Sequence, residues 1–235
     1  MSKFLDFRRD LGKELLKYSS KKVHLKKGEI LFLDNFLNEK IAILTDGMIN
    51  YNTSIQTGRE LSLGCYSSNA ILFLSSMFEE YSLEKQEISS YNISASFDST
   101  IEFVSIDTFK DVIYKDEELM YKLYKFYGLF HEKNFYQLRD LQIFKTEDAI
   151  LSILLRAYNT YGVKIDDYHV IKKKIFNTNI AKCLDITEET VSRTISNLRK
   201  KNLLSKKDCF IIINDLDYVK EKLGCKYCNE KLCYL

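Results

Sequence analysis

Proline is absent from all 235 residues, and the abundance of Lys, Ile, Asn, Tyr and Phe beside that gap fits an AT-rich coding sequence; we attach no function to it. Also missing is any apolar run near the ~18 residues that a membrane span needs. The N-terminal MSKFLDFRRDLGKELLKYSS mixes charge with apolar residues and lacks the uninterrupted apolar core of a signal peptide. These absences predict a cytoplasmic protein with no membrane partner. Thiols stay reduced in that compartment, so the six cysteines are expected to pack, bind metal or sense redox state and not to form a disulfide framework. No Walker loop, nucleophile elbow or paired-carboxylate pattern occurs, which argues against an enzyme. The three histidines, His24, His131 and His169, are too dispersed to pair as metal ligands.

What is present has the makeup of a globular protein, 46% apolar and 29% charged, long enough for one large domain or two ordinary ones. Its texture changes along the chain. From residue 23 to about 107, short apolar or alternating runs are broken by Gly28, Asp46-Gly47 and Gly58, which read as hairpin turns of an antiparallel sandwich or barrel. After Asp107 the apolar positions recur every three or four residues. The acids at 116–118 suit a helix start, because the positive end of the helix dipole favours carboxylates. A helix over about 116–140 carries Tyr121, Tyr124, Phe126, Tyr127, Phe130, Phe135 and Tyr136, more aromatics than one face needs, and so predicts a stripe buried against a second copy. A third stretch opens with TEDAILSILLRAYNTYG, an amphipathic helix expected to be closed by Gly162. The expected fold is therefore α+β, with 1–107 an N-terminal β-domain, 108–141 a dimerisation helix region and 142–235 a C-terminal domain.

The net charge of +2 decides little, but its distribution is uneven. Between Ile171 and Lys207, ten Lys and Arg stand against three acids, a local excess of +7. Inside that patch lies NTNIAKCLDITEETVSRTISNLRKKNLL, which has helix-turn-helix chemistry. Ile180, small Ala181 and Leu184 form a short first helix, and LDIT makes a tight turn with Ile186 expected to be buried. Thr187 is a good N-cap for a second helix starting at Glu188. Val191, Ile195 and Leu198 form the packing stripe of that helix and leave Glu188, Glu189, Ser192 and Arg193 facing outward. Arg193 can donate twice to guanine, and Glu189 can accept from cytosine. Thr190, Ser192 and the lysines can bind phosphates of double-stranded DNA. FIIIND then reads as a wing strand.

The segment ITEETVSRTISNLRKKNLL resembles the recognition-helix signature of the Crp/Fnr transcription regulators, and the order strands, long helix, helix-turn-helix is similar to that family over nearly the full chain. KKGEILF and LTDGMINYN look like its β-roll. The resemblance implies a cyclic-nucleotide-binding-like roll, a winged helix-turn-helix and a homodimer on a palindromic TGTGA-like site, with RNA polymerase as partner if the protein activates. Half-sites would lie about 34 Å apart, one DNA turn. In the family, three recognition-helix positions often read that half-site as Arg-Glu…Arg; the matching residues here are Glu188, Glu189 and Arg193, so a glutamate replaces the arginine that contacts the outer guanine. The region matching the family's cyclic-nucleotide phosphate cassette, residues 67–97, has no glycine and no arginine and only Lys85 as a cation. A buried phosphate there would lack its guanidinium partner, so cyclic AMP is not expected as effector.

Three cysteines crowd the last eleven residues, spaced Cys225-x2-Cys228-x4-Cys233 after Gly224. Cys-x2-Cys lets two thiolates meet one metal centre from a single turn. Packing, zinc and an iron–sulfur cluster are all compatible with that spacing, and a fourth ligand must come from elsewhere. The tail looks like that of the Bacillus-type Fnr subgroup, which implies a [4Fe–4S] cluster; the subgroup's fourth ligand, an aspartate in an Arg-Asp-Leu context, matches Asp140 in LRDLQIF. ILSILLRAYNTYGVKIDD also resembles that subgroup. Cys65, Cys183 and Cys209 read as small buried hydrophobes. Two rival readings stand beside this one. A PrfA-like regulator would take a small thiol or peptide in a pocket lined by Tyr66, Tyr124, Tyr127 and Tyr158. A zinc-tailed interaction protein would have no DNA role.

Overall fold

In the computed structural model, residues 3–33, 39–54, 60–74, 91–228 and 232–235 are described. They fall into two compact units, Met1–Gly128 and Leu129–Leu235, divided inside one long helix. Gly58 and residues 75–90 of the cassette region, Lys85 among them, lie outside the described residues.

The first unit opens with helix α1 (Lys3–Leu16), to which the sequence reading gave no element, and continues with strands β1 (Lys21–Leu25), β2 (Ile30–Phe32), β3 (Glu39–Asp46), β4 (Met48–Ser54), β5 (Glu60–Ser67), β6 (Ala70–Phe73), β7 (Tyr91–Ala95) and β8 (Ser99–Ser105). β1 pairs with β8, β2 with β7, β3 with β6 and β4 with β5, all antiparallel. The strands thus form one nested ribbon, folded into two four-stranded sheets of order β1-β8-β3-β6 and β2-β7-β4-β5. In β3, four consecutive residues from Ile41 to Leu44 are all buried. Both faces of that strand are covered, which removes the alternation of a half-exposed strand. α1 covers one face: Leu11 and Leu15, one turn apart, are buried, and Gly12 packs toward Ile43.

The sheet assignment corrects the reading of Asp46-Gly47 as a hairpin. β3 and β4 lie in different sheets, so Gly47 is a corner where the chain changes sheet. Its φ of 95° and the closeness of Ser99 and the Asp98 carbonyl leave no room for a side chain. Gly28 likewise lies between strands of different sheets, whereas β4 and β5 form a true hairpin. The β4–β7 face also carries a polar row that the alternation pattern concealed. Asn52 donates to Asn92 Oδ1 (3.0 Å) and Ser94 Oγ (3.1 Å), and Asn50 donates to Ser96 Oγ (3.0 Å). All five are buried, and mutual bonding is what makes that tolerable.

A short turn α2 (Ile106–Thr108) and a π-helical segment (Phe109–Ile113) lead into α3 (Glu117–Ile143), 27 residues and about 40 Å long. Asp116 caps it by accepting from the Leu119 amide at 2.9 Å. Leu119, Leu123 and Phe126 are buried, while Tyr121, Tyr124, Tyr127, Phe135, Leu138 and Leu141 are more than half exposed.

The second unit contains α4 (Thr146–Tyr161), β9 (Gly162–Ile165), β10 (Tyr168–Ile171), α5 (Asn177–Leu184), α6 (Glu188–Lys200), β11 (Leu204–Lys207), β12 (Phe210–Ile213) and α7 (Leu216–Lys222). The four strands form one antiparallel sheet of order β11-β12-β10-β9, which bears out the wing. Gly162 is not a left-handed cap as expected: it has φ −79°, ψ 149° and starts β9. Its missing side chain makes space for the ring and carbonyl of Tyr158. Among the described residues no helix is long and apolar enough to cross a membrane.

Gly47→Ala should cost about 1–3 kcal/mol, from a strained φ and a side chain forced against backbone. The check is the melting temperature, and a variant that melts like the wild type would show that the corner relaxes freely.

Candidate DNA-reading helix and cysteine-lined cavity

Local sequence builds α5 and α6. The Phe176 amide donates to Asn179 Oδ1 at 3.2 Å, closing the start of α5. Asp185 ends it in the left-handed region at φ 51°, a conformation that Asp tolerates. Thr187 caps α6 as predicted: its hydroxyl accepts from the Thr190 amide at 3.2 Å and meets the Thr190 hydroxyl at 2.9 Å. Val191, Ile195 and Leu198 are buried against the rest of the unit. Thr187, Glu188, Glu189, Ser192 and Arg193 are exposed, and Thr190 is half-buried. Ile186, expected in the core, is only half-buried. Arg199, Lys200 and Lys201 are exposed at the end of α6, as are Lys206 and Lys207 on the wing. Cys209 sits beside Asp208 in the turn between β11 and β12 and is exposed, contrary to the buried role expected of it. A two-residue turn has no interior in which to bury a side chain. Cys65 is buried in β5 and Cys183 half-buried in α5.

The end of α6 is braced to its neighbours. Lys201 donates to both oxygens of Glu147 in the first turn of α4, at 2.7 and 3.0 Å. Lys222 of α7 lies 2.7 Å from Asp148 and 3.4 Å from Glu147. The hydrogen bond from Lys201 is the main cause that holds the Glu147 carboxyl below its ordinary range, and Asp148 is the main cause that pushes Lys222 up.

The cysteine tail starts where α7 stops. Gly224 takes φ 64° and donates to the Glu221 carbonyl at 2.9 Å, an ending that only a residue without Cβ adopts cheaply. Cys225–Tyr227 form a 3₁₀ turn, and the Cys228 amide donates to the Cys225 carbonyl at 3.0 Å. The last residues dock on α4. Asn159 donates to the Cys233 carbonyl at 2.9 Å, the Leu235 amide donates to Thr160 Oγ1 at 3.0 Å, and Leu232 and Leu235 are buried.

Asp140, Cys225, Cys228 and Cys233, four residues from two ends of the unit, line one cavity of about 140 Å³. That approaches the roughly 150 Å³ of a cavity that admits benzene, so the space exceeds that of a single ion. Asp140 is buried, with Oδ1 accepting from Arg139 Nη2 (2.7 Å) and Nε (3.2 Å) and Oδ2 from Arg156 Nη2 (2.7 Å) and Ser152 Oγ (3.2 Å). Arg139 Nη2 also reaches Cys228 Sγ at 3.1 Å. Burial pushes the Cys233 thiol up, partly offset by Arg156 and Asn159. Among the described residues no three His, Cys, Asp or Glu converge closely enough to hold one metal ion as they stand. Three cysteine sulfurs and a carboxylate around one cavity, with two guanidiniums beside them, are a donor set chemically able to hold zinc or an iron–sulfur cluster.

Sequence reasoning missed Arg139, Ser152 and Arg156. A signal was there: Arg156 interrupts the apolar run from Ile150 to Ala157, and Ser152 lies four residues before it on the same helix face. The four tyrosines expected to line a pocket lie on three different elements. Tyr66 is buried in β5, and Tyr124 and Tyr127 are exposed on α3. Tyr158 is half-buried in α4, with its hydroxyl 2.8 Å from His169 Nδ1.

Residues 150–221 match a Crp-like helix-turn-helix domain. An anaerobic regulatory protein of Bacillus subtilis is 25% identical over 223 residues, 94% of this chain and 91% of that protein. A mutant CooA from Carboxydothermus hydrogenoformans shares the fold at a TM-score of 0.67 with 18% identity, covering 89% of this chain and 90% of that one. A CRP/FNR-family transcriptional regulator from Thermus thermophilus matches at 0.59 with 17% identity, covering 87% and 98%.

The brace makes a pH-dependent prediction. A depressed carboxyl stabilises the fold above its unfolded pKa, and that contribution is lost as pH falls through the lowered folded value. These pairs are partly exposed, so Glu147→Gln should lower the melting temperature at pH 7 by only about 1–3 °C. The gap from the wild type should close toward pH 3, as followed by thermal melts across that range.

Proposed function

We propose that this chain is a Crp/Fnr-type transcription regulator and not an enzyme, a homodimer that reads a palindromic TGTGA-like site under control of a C-terminal [4Fe–4S] cluster. The single observation that carries the sensor is the convergence of Asp140, Cys225, Cys228 and Cys233 on one cavity. The name of the Bacillus subtilis relative, an anaerobic regulator, points to the same class of signal. When bound, a cluster supplies a group that reacts with oxygen or nitric oxide. The chain's own residues would do the rest. Cys225, Cys228 and Cys233 would bind as thiolates and Asp140 through a carboxylate oxygen, a weaker donor to iron than sulfur. Arg139 and Arg156 would offset the negative charge gathered there. Loss of the cluster would change how the tail and α7 sit on α4, to which α6 is braced through Glu147, and so lower DNA affinity. Cyclic AMP is not the effector in this reading.

DNA is read by the exposed face of α6. Arg193 donates to guanine, Glu189 accepts from cytosine, and Thr187, Thr190, Ser192 and the wing lysines hold phosphates. Glu188 stands where an arginine would read the outer guanine, which relaxes the half-site at that position. The exposed aromatic and aliphatic side chains of α3, Tyr121, Tyr124, Phe135 and Leu138 among them, supply the stripe that two copies would bury between them. RNA polymerase is the further partner if the protein activates.

Protein purified without air should show broad visible absorption that bleaches on exposure to oxygen, with about four iron and four sulfide per chain. Colourless protein that resists reconstitution under anaerobic conditions sinks the cluster, and stoichiometric zinc in its place would move the tail to a structural role. Asp140→Ala should abolish or destabilise the absorption; unchanged iron content would remove Asp140 from the ligand set. Arg193→Ala should weaken binding to the cognate duplex by about 1–3 kcal/mol in a titration at fixed salt, and equal loss on all sequences would mean that Arg193 contacts only phosphate.

A further inference from the structure

The donors around the cavity come from segments far apart in the chain. Asp140 belongs to the last turns of α3, and Cys228 follows α7. One nitrogen serves both: Arg139 Nη2 lies 2.7 Å from Asp140 Oδ1 and 3.1 Å from Cys228 Sγ, and Nε adds a second bond to the same oxygen at 3.2 Å. The two arginines hold the carboxylate differently. Arg156 is buried and, with Ser152, grips Oδ2 from α4. The Arg139 side chain is 28% exposed, lies over the Tyr136 ring at 5.0 Å, and grips Oδ1. The start of the tail is tied to α7 by backbone bonds, and its end is fastened to α4 through Asn159 and Thr160. Cys228 lies between those anchors, and its thiol is joined to α3 through Arg139.

We propose that Arg139 is a positioning residue that ties the Cys225–Cys228 turn to Asp140 in the metal-free chain, setting a carboxyl group and a cysteine sulfur beside the cavity before metal arrives. The inference rests on the donor set assigned above, and it concerns how that set is assembled. Ordering a loose tail at the moment of metal capture costs conformational entropy, and a tether made beforehand removes part of that cost. Accepting from Arg139 does not disable the donors, since an ionised carboxylate has about four lone-pair sites. The fork is essential to the arrangement. A lysine keeps the charge but, as a point donor on a flexible stem, cannot hold both partners in fixed geometry.

The test is hydrogen exchange on the full-length, metal-free chain, comparing wild type, Arg139→Ala and Arg139→Lys. The Cys228 amide should exchange about tenfold faster in Arg139→Ala, with Arg139→Lys between, and amides of α6 unchanged. If Arg139→Ala loses protection across α4, Arg139→Lys carries the decision. Anaerobic uptake of iron and sulfide is then followed on the same proteins, with the initial rate several-fold slower in Arg139→Ala and partly restored in Arg139→Lys. Unchanged Cys228 exchange overturns the tether whatever the iron does. Faster exchange with equal uptake by wild type and Arg139→Ala overturns its role in preparing the site. Faster exchange in a protein whose wild type takes up no iron and sulfide supports the tether and removes the cluster reading instead.

Discussion

A charged carboxylate is costly to bury unless it is paired and hydrogen-bonded, and the second unit is organised around one such group. Asp140 is out of solvent, with both oxygens engaged by guanidinium nitrogens at 2.7 Å. Removing the buried Arg156 would leave only the partly exposed Arg139 to offset the carboxylate, whereas removing Arg139 leaves Arg156 and Ser152 in place. The three elements that meet at Asp140 are therefore held in register by a requirement stronger than apolar packing alone. They are the end of α3, the middle of α4 and, through Arg139, the cysteine tail. The same carboxylate is the proposed fourth ligand, which makes one residue both a structural clasp and a participant in sensing.

α4 touches both the proposed sensing site and the brace of the proposed reading helix. Its first turn carries Glu147 and Asp148, which hold Lys201 beyond the recognition helix and Lys222 of α7. One to two turns later, Ser152 and Arg156 hold Asp140, and its last turn supplies Asn159 and Thr160 to the end of the tail. In the proposed regulator, a shift of the tail would reach α6 through this helix. Each exposed ion pair contributes little by itself. Coupling between distinct sites typically needs only about 1–3 kcal/mol, which several such contacts changing together can supply.

The second unit's reading surface was legible because it is local. A threonine cap, an apolar stripe at Val191, Ile195 and Leu198, and outward-facing Glu189 and Arg193 all follow from spacing within thirteen residues, and the structure keeps each of them. The spacing Cys225-x2-Cys228-x4-Cys233 was equally plain. Its meeting with Asp140 was not derivable from spacing, and entered only through resemblance to a family.

Sequence by itself determined the strand-rich first part, the long helix, the helix after the turn and its cap, the wing strand and the cluster of thiols, though not α1, because helical and strand periodicity, capping and turn chemistry act over a few residues. Tertiary structure alone decided that Asp46-Gly47 is a corner between sheets, that Cys209 is exposed, and that Arg156 and Arg139 close on Asp140. The reason is the same in each case. A turn residue shows that the chain bends but not which strand it meets next, and a buried charge shows that it needs a partner but not which one. Both answers come from segments tens of residues away, brought together when the apolar faces of the sheets and helices are buried.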